Sequence, residues 1–171
     1  MLNQMSPLLV KYEAWMTLAF ILPFLLGSCA STRVTLTDNQ IQFKTIGKIP
    51  IVEGKINGKR AYFIIDTGAS ISLLNESEAS HFGFGSYSST NQSLVGFSGS
   101  AAINEAYNCR VEFGSMIIHG VTFKARCLND FTAAIRQHEG VNISGIIGSD
   151  VFNKYQITID YRNNIISYAS R

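Results

Sequence analysis

The sequence predicts a mostly β single domain with two short helices, and three observations carry that prediction. Apolar and polar residues alternate with a period of two, and β-branched residues are frequent, over 41–74 and again over 107–128. Turn signals such as Asn57-Gly58 and Arg162-Asn163-Asn164 interrupt these runs at short intervals. The chain has 171 residues, 46% hydrophobic and 15% charged, which suits one globular domain and is too short for two full ones. With 11 Phe and 7 Tyr it has enough apolar surface for a core, so the body is not intrinsically disordered. A net charge of +2, with basic residues scattered rather than clustered, gives no stripe for a run of phosphates and excludes nucleic acid as the expected partner.

In chain order, residues 1–28 read as an export signal. Residues 15–26 carry no charge, too short a run for a spanning helix of about 20 residues. With Lys11 ahead of it, the run fits the apolar region of a signal peptide. Leu26-Gly27-Ser28-Cys29 resembles the bacterial lipobox. That resemblance implies lipidation of Cys29, an N-terminal tether over 29–45, a domain over 46–171 and attachment to a membrane through the lipid. Because Ala30 is not an aspartate, it also implies the outer membrane, facing the periplasm. The plainer readings are a signal peptide cut near Ala30, or a buried N-terminal helix.

Strands are expected over 41–46, 49–56, 61–65 and 71–74, with Asn57-Gly58 closing the second and third into a hairpin. Asn75 is a good N-cap for a helix over 76–82. Residues 83–99 are rich in Gly, Ser, Asn and Gln and read as a mobile surface loop. Strands resume over 107–113 and 116–128 around Gly114-Ser115, followed by a second loop with a helical turn over 130–142. The chain closes with a strand over 143–147, a helix over 149–154 and a hairpin of 155–161 with 165–169. Cys109 and Cys127 do not lie opposite each other across the Gly114-Ser115 turn, so both read as small core residues.

One segment points to chemistry. Asp66-Thr67-Gly68-Ala69-Ser70 follows the apolar run Phe63-Ile64-Ile65, which sets a carboxylate at a strand end, partly out of water and within reach of turn N–H groups. Alone, Asp66 could also be a simple turn cap. A second element, Gly145-Ile146-Ile147-Gly148-Ser149-Asp150, leads into the last helix, and Val95-Gly96-Phe97-Ser98-Gly99 lies between the two.

Taken together these motifs resemble the retropepsin-like, single-domain aspartic peptidases over about 49–168. The resemblance implies one half of an acid-protease β-barrel that homodimerises. It assigns Asp66, Thr67 and Gly68 to catalysis, with Thr67 gripping the partner's loop and Gly68 leaving room for substrate. Ala69, Ser70, the flap residues Gly96, Phe97, Ser98 and Gly99, and Ile146, Ile147 and Gly148 are assigned to substrate binding. Aspartic peptidases activate a water between two carboxylates that share one proton. One Asp-Thr-Gly per chain therefore implies an Asp66 from each of two copies at a two-fold axis. The implied function is endopeptidase cleavage of extended polypeptides in the bacterial envelope, without cofactor or metal. Ser70 and Ser149 stand where viral members usually carry an acidic residue and an arginine, so cleavage preference does not transfer from those enzymes. Ala69 in place of a hydroxyl residue implies an optimum less acidic than that of pepsin.

Other chemistries find little support. His81, His119 and His138 have no metal-ligand spacing, and Gly96-Phe97-Ser98-Gly99-Ser100 departs from a nucleophile elbow at its fifth position. Two alternatives stay open. One is a catalytically idle peptide-binding or assembly module of the same fold, and the other is a structural β-domain with a chance motif.

Overall fold

The computed structural model describes residues 35–96 and 99–169, in a compact unit that runs from Leu36 to Arg171. The expected lipidation site Cys29, the expected signal and most of the expected tether, and Phe97 and Ser98 of the expected flap lie outside the described residues.

The fold is mostly β with short helices, as the alternation predicts. Strand β1 (Gln40–Ile46) turns through Gly47 and Lys48 into β2 (Ile49–Ile56), which turns through Asn57 and Gly58 into β3 (Lys59–Ile65). All four turn residues have positive φ, the geometry that lets a two-residue turn follow the right-handed strand twist. After β3 the chain loops over and returns as β4 (Leu73–Asn75), while β10 (Gly145–Ile147) slots between the two. β10 runs parallel to β3, with Ile147 opposite Ile65, and antiparallel to β4, with Ile146 opposite Leu73. Residues 66–72 therefore straddle the C-terminal end of β10, which decides the geometry of the site.

Period two sorts side chains onto two cores. Phe63, Ile65, Leu74 and Ile147 belong to the larger one, with Phe43, Val52 and Ile56. The intervening Ile64, Leu73 and Ile146 belong to the second, closed by Ile51, Leu128, Ile135 and Ile143. Each such fully buried side chain is worth about 1.5–3 kcal/mol. The β3 period carries Asp66 toward the side of Ile64, the second core.

Asn75 opens a 3₁₀ turn (Glu76–Glu78) through a hydrogen bond from the Ser77 N–H, and helix α1 (Ala79–Phe82) ends at left-handed Gly83. Residues 83–99, expected as a loop, are instead mostly strand. β5 (Gly85–Gly96) pairs with β6 (Gly99–Tyr107) in a long hairpin. The pairing uses the backbone, and β5 is an edge strand of the 12-stranded sheet, so polar residues such as Ser88 stay in water at no cost. The expected strand over 107–113 shortens to β7 (Val111–Phe113), because 107 closes β6 and Asn108 takes positive φ. The run over 116–128 breaks at left-handed Gly120 into β8 (Met116–Ile117) and β9 (Lys124–Arg126).

The expected loop over 130–142 is largely an 11-residue helix, α2 (Asn129–Glu139), stopped by left-handed Gly140. It buries only Thr132 and Ile135, too few for a clear helical period in the sequence. Helix α3 (Ser149–Tyr155) and the hairpin of β11 (Thr158–Asp160) with β12 (Ile165–Ser167) follow, and β12 returns to pair with β1. Asp160 holds the hairpin turn by accepting from the Asn163 side chain and from the backbone N–H of Asn163 and Arg162; the Asn163 side chain first, then these backbone donors, keep its carboxyl below the ordinary value. Both thiols are free, but only Cys109 is a partly buried neighbour of the core. Cys127 is exposed at the end of β9, contrary to its expected place in the core.

Candidate active site

Asp66 stands half-buried where β3 leaves the sheet, and its backbone N–H donates to Ile147 O at 3.0 Å, adding one rung to the parallel ladder. The chain then turns at once. The Gly68 N–H donates to Asp66 Oδ1 at 2.9 Å and the Ala69 N–H to Asp66 O at 3.2 Å. The carboxylate is thus oriented by a backbone donor two residues on. A Cβ at Gly68 would come within 3.2 Å of Asp66 Oδ1, so a larger residue there crowds the oxygen that the turn orients. Thr67, Gly68 and Ser70 are exposed, and Ala69 is half-buried.

The loop is splinted by the segment that follows β10. Ala69 O accepts from the Ser149 N–H at 2.8 Å and from the Ser149 hydroxyl at 2.9 Å. Gly148 passes beneath the loop so closely that a Cβ would lie 2.8 Å from both Ala69 O and Ile71 O. At the far end of the loop, Ser72 is fully buried. Its N–H and hydroxyl donate to the Asp150 carboxylate at 2.9 and 2.6 Å, and its hydroxyl accepts from the Gly148 N–H at 2.9 Å. The sequence motifs include Asp150 as the last residue of the second element but give it no role, and they do not include Ser72. The available signal was an acidic residue in the first turn of a helix that starts directly behind the Ile-Ile-Gly element.

The structure brings Asp66, Thr67, Gly68, Ala69 and Ser70 together with Gly148 and Ser149. Ile146 and Ile147 adjoin them from below, 7% and 1% exposed, and pack into opposite cores. Gly96 and Gly99 face each other at the end of the β5–β6 hairpin. The base of that hairpin is fastened to the body: Glu76 accepts from Ser86 Oγ and Asn104 Nδ2, and Glu105 accepts from Tyr87 Oη and pairs with Lys124 at 2.9 Å. Between Ser88 and Ser93 the register shifts, so the distal arm is offset from the base. The hydrogen bonds from Tyr87 and Lys124 hold the Glu105 carboxyl below its ordinary value.

A cavity of about 550 Å³ lies elsewhere. It is lined by Asp38, Ser115, His119, Lys154, Tyr155 and Tyr168, beside β8 and the C-terminal end of α3 rather than the end that meets the loop. His81, His119 and His138 are all exposed, and no group of three His, Cys, Asp or Glu among the described residues is arranged to hold a metal ion.

Comparison with known proteins places this site in a class. Residues 52–151, more than half of the chain, match the family model described as aspartyl protease, and the chain belongs to that family. No curated protein is significantly similar in sequence. Among solved structures, the chain is similar to a retropepsin-like aspartic protease from Rickettsia conorii at 13% identity and a TM-score of 0.48, over 75% of this chain and 87% of that one. It is also similar to an EIAV protease solved with an inhibitor, at 16% identity and a TM-score of 0.47, over 65% and 91% of the two chains. The retroviral protease-like domain of Ddi1 from Leishmania major aligns at 16% identity and a TM-score of 0.41, over 80% and 97%.

Proposed function

We propose that the protein is an aspartic endopeptidase in which Asp66 supplies one carboxylate and Asp66 of a second copy the other. The observation that carries this reading is the Asp66 turn itself. A half-exposed carboxylate at a strand end, oriented by the Gly68 N–H and splinted from below, is a group held for proton transfer rather than for folding alone. Two such groups close together share one proton, since like charges about 3 Å apart do not both ionise. The ionised partner takes a proton from a water whose oxygen attacks the peptide carbonyl carbon. The protonated partner stabilises the resulting oxyanion, the carboxyl that took the water's proton passes it to the amide nitrogen, and the C–N bond breaks to release an amine and a carboxylic acid. No cofactor enters this sequence.

In this reading Thr67 ties the two loops together at the dimer axis, and the hairpin closed by Gly96 and Gly99 covers an extended peptide held near Ala69 and Ser70. On the same reading the cleft forms between two copies. The proposed setting is the bacterial envelope, with the protein held at the outer membrane by a lipid on Cys29 and acting on extended polypeptide.

The test is mass-spectrometric profiling of a peptide library between pH 4 and 8, with wild type beside Asp66→Asn and the association state read by sedimentation. Cuts made only by wild type, from a dimer, are expected. A folded dimer that binds peptides without cutting them would replace this reading with the idle peptide-binding module.

A further inference from the structure

We infer that Asp150 is a positioning residue for Asp66, acting through Ser72 on the far end of the catalytic loop. The inference rests on the reading of Asp66 as the catalytic carboxylate and deepens it.

The loop over 66–72 is held at three places. Its start is held by Ile147 O, its middle by Ser149 on Ala69 O, and its end by Asp150 on Ser72. Apart from the Lys124 N–H, which donates to Ser72 O at 3.1 Å, these partners come from four consecutive residues, 147–150, so one short segment holds the loop at its start, middle and end. Of the three ties, only the last is made by an ionisable group. Its carboxylate collects three donors, Ser72 N–H, Ser72 Oγ–H and, at 2.8 Å, the Val151 N–H. The Ser72 hydroxyl is fully directed, donating to Asp150 Oδ1 and accepting from the Gly148 N–H. Gly148 is also the residue whose closeness to Ala69 O and Ile71 O sets the height of the loop. Asp150, Ser72 and Gly148 thus form one hydrogen-bonded corner, and a shift there is passed back along the loop to Asp66.

An amide cannot replace this carboxylate. The two backbone donors meet different oxygens, Ser72 N–H on Oδ2 and Val151 N–H on Oδ1, so the NH₂ of an asparagine always faces one of them. Asp150→Asn therefore breaks a tie without changing volume. Asp160→Asn makes the same exchange at a remote turn and is the matched control.

The experiment measures kcat and KM of the full chain in detergent micelles on one peptide cut by wild type, together with hydrogen–deuterium exchange over 66–72. Near-UV circular dichroism reports the folded fraction. Asp150→Asn is expected to lower kcat by about 10- to 100-fold, since sub-ångström misplacement of a reacting group carries penalties of that order. KM should stay within about two-fold, and exchange over 66–72 should rise while the β2–β3 hairpin is unchanged. Asp160→Asn should match wild type, and Asp66→Asn should lose turnover with wild-type exchange. A folded Asp150→Asn with wild-type kcat overturns the inference, as does a fall in kcat that only tracks lost folded protein. If wild type cuts nothing, the peptidase reading fails, and exchange alone decides the pinning: faster exchange over 66–72 supports it and unchanged exchange overturns it.

Discussion

Replacing Gly148 by alanine tests the splint most directly, because the perturbation is one methyl group of known position. Gly148 has φ −107° and ψ −173°, an extended conformation open to any residue, so alanine adds no torsional cost. The added Cβ would sit 2.8 Å from Ala69 O and Ile71 O and 2.9 Å from Ile71 C, where ordinary contact begins at 3.4 Å. About 0.6 Å must therefore open between β10 and the loop, and the colliding atoms are backbone that no rotamer change can move aside. Overpacking of this kind costs about 1–3 kcal/mol, or roughly 3–12 °C in melting temperature for a domain of this size. The displaced carbonyls lie on the loop that carries Asp66, so the same shift should lower kcat by about 10- to 100-fold. Thermal unfolding by circular dichroism and peptide cleavage would measure the two effects. Gly140→Ala is the control. There a Cβ meets nothing within 4 Å but φ is +66°, so stability should fall by about 1 kcal/mol with turnover intact. Wild-type melting and turnover for Gly148→Ala would refute the close approach, and a destabilised variant with normal kcat would refute its coupling to Asp66.

Three further outcomes follow from individual contacts. Asn75→Ala should cost about 3–4 kcal/mol in urea unfolding, because it strips the Leu128 N–H and Ile143 O of their buried partner and leaves a void; a loss under 1 kcal/mol would contradict the assigned bonds. Iodoacetamide at pH 8 should label exposed Cys127 well before Cys109, whose thiol burial pushes upward in pKa; equal rates would show that Cys109 is not packed against the core. Glu105 has a depressed carboxyl, so its contribution is complete above the ordinary value of 4.5 and is lost as pH falls below that toward its lower folded value; Glu105→Gln should flatten the pH dependence of melting in that window, and an unchanged acid limb would remove Glu105 from the account.

What could be read from the sequence was what side chains announce locally. Asn57-Gly58 gave its turn because both positions need positive φ, and the 63–65 run gave its strand because consecutive residues fill opposite cores. Asp66 pointed to the candidate site because an acid at the end of an apolar strand, two residues before a glycine, meets turn N–H groups, and the second element near 145–150 set it apart from a simple turn cap. The β5–β6 hairpin stayed hidden because it is held together by backbone pairing, on which its Ser, Thr and Asn residues are silent. Helix α2 stayed hidden because two buried positions make no period. The Asp150–Ser72 tie joins residues 78 apart in sequence and is meaningful only once β10 lies between β3 and β4.

The two serines that depart from the viral pattern find a physical account in that topology. At 70 and 149 the resemblance led one to expect an acid and an arginine paired across the loop. Ser149 instead donates to Ala69 O from both its N–H and its hydroxyl, so the middle of the loop is tied without charge. Ser70 is exposed and brings no charge to the surface beside Asp66. The carboxylate that fastens this loop is Asp150, beneath it and committed to three donors. The loop is thus fastened by a carboxylate on its underside, while the exposed position 70 contributes only a hydroxyl.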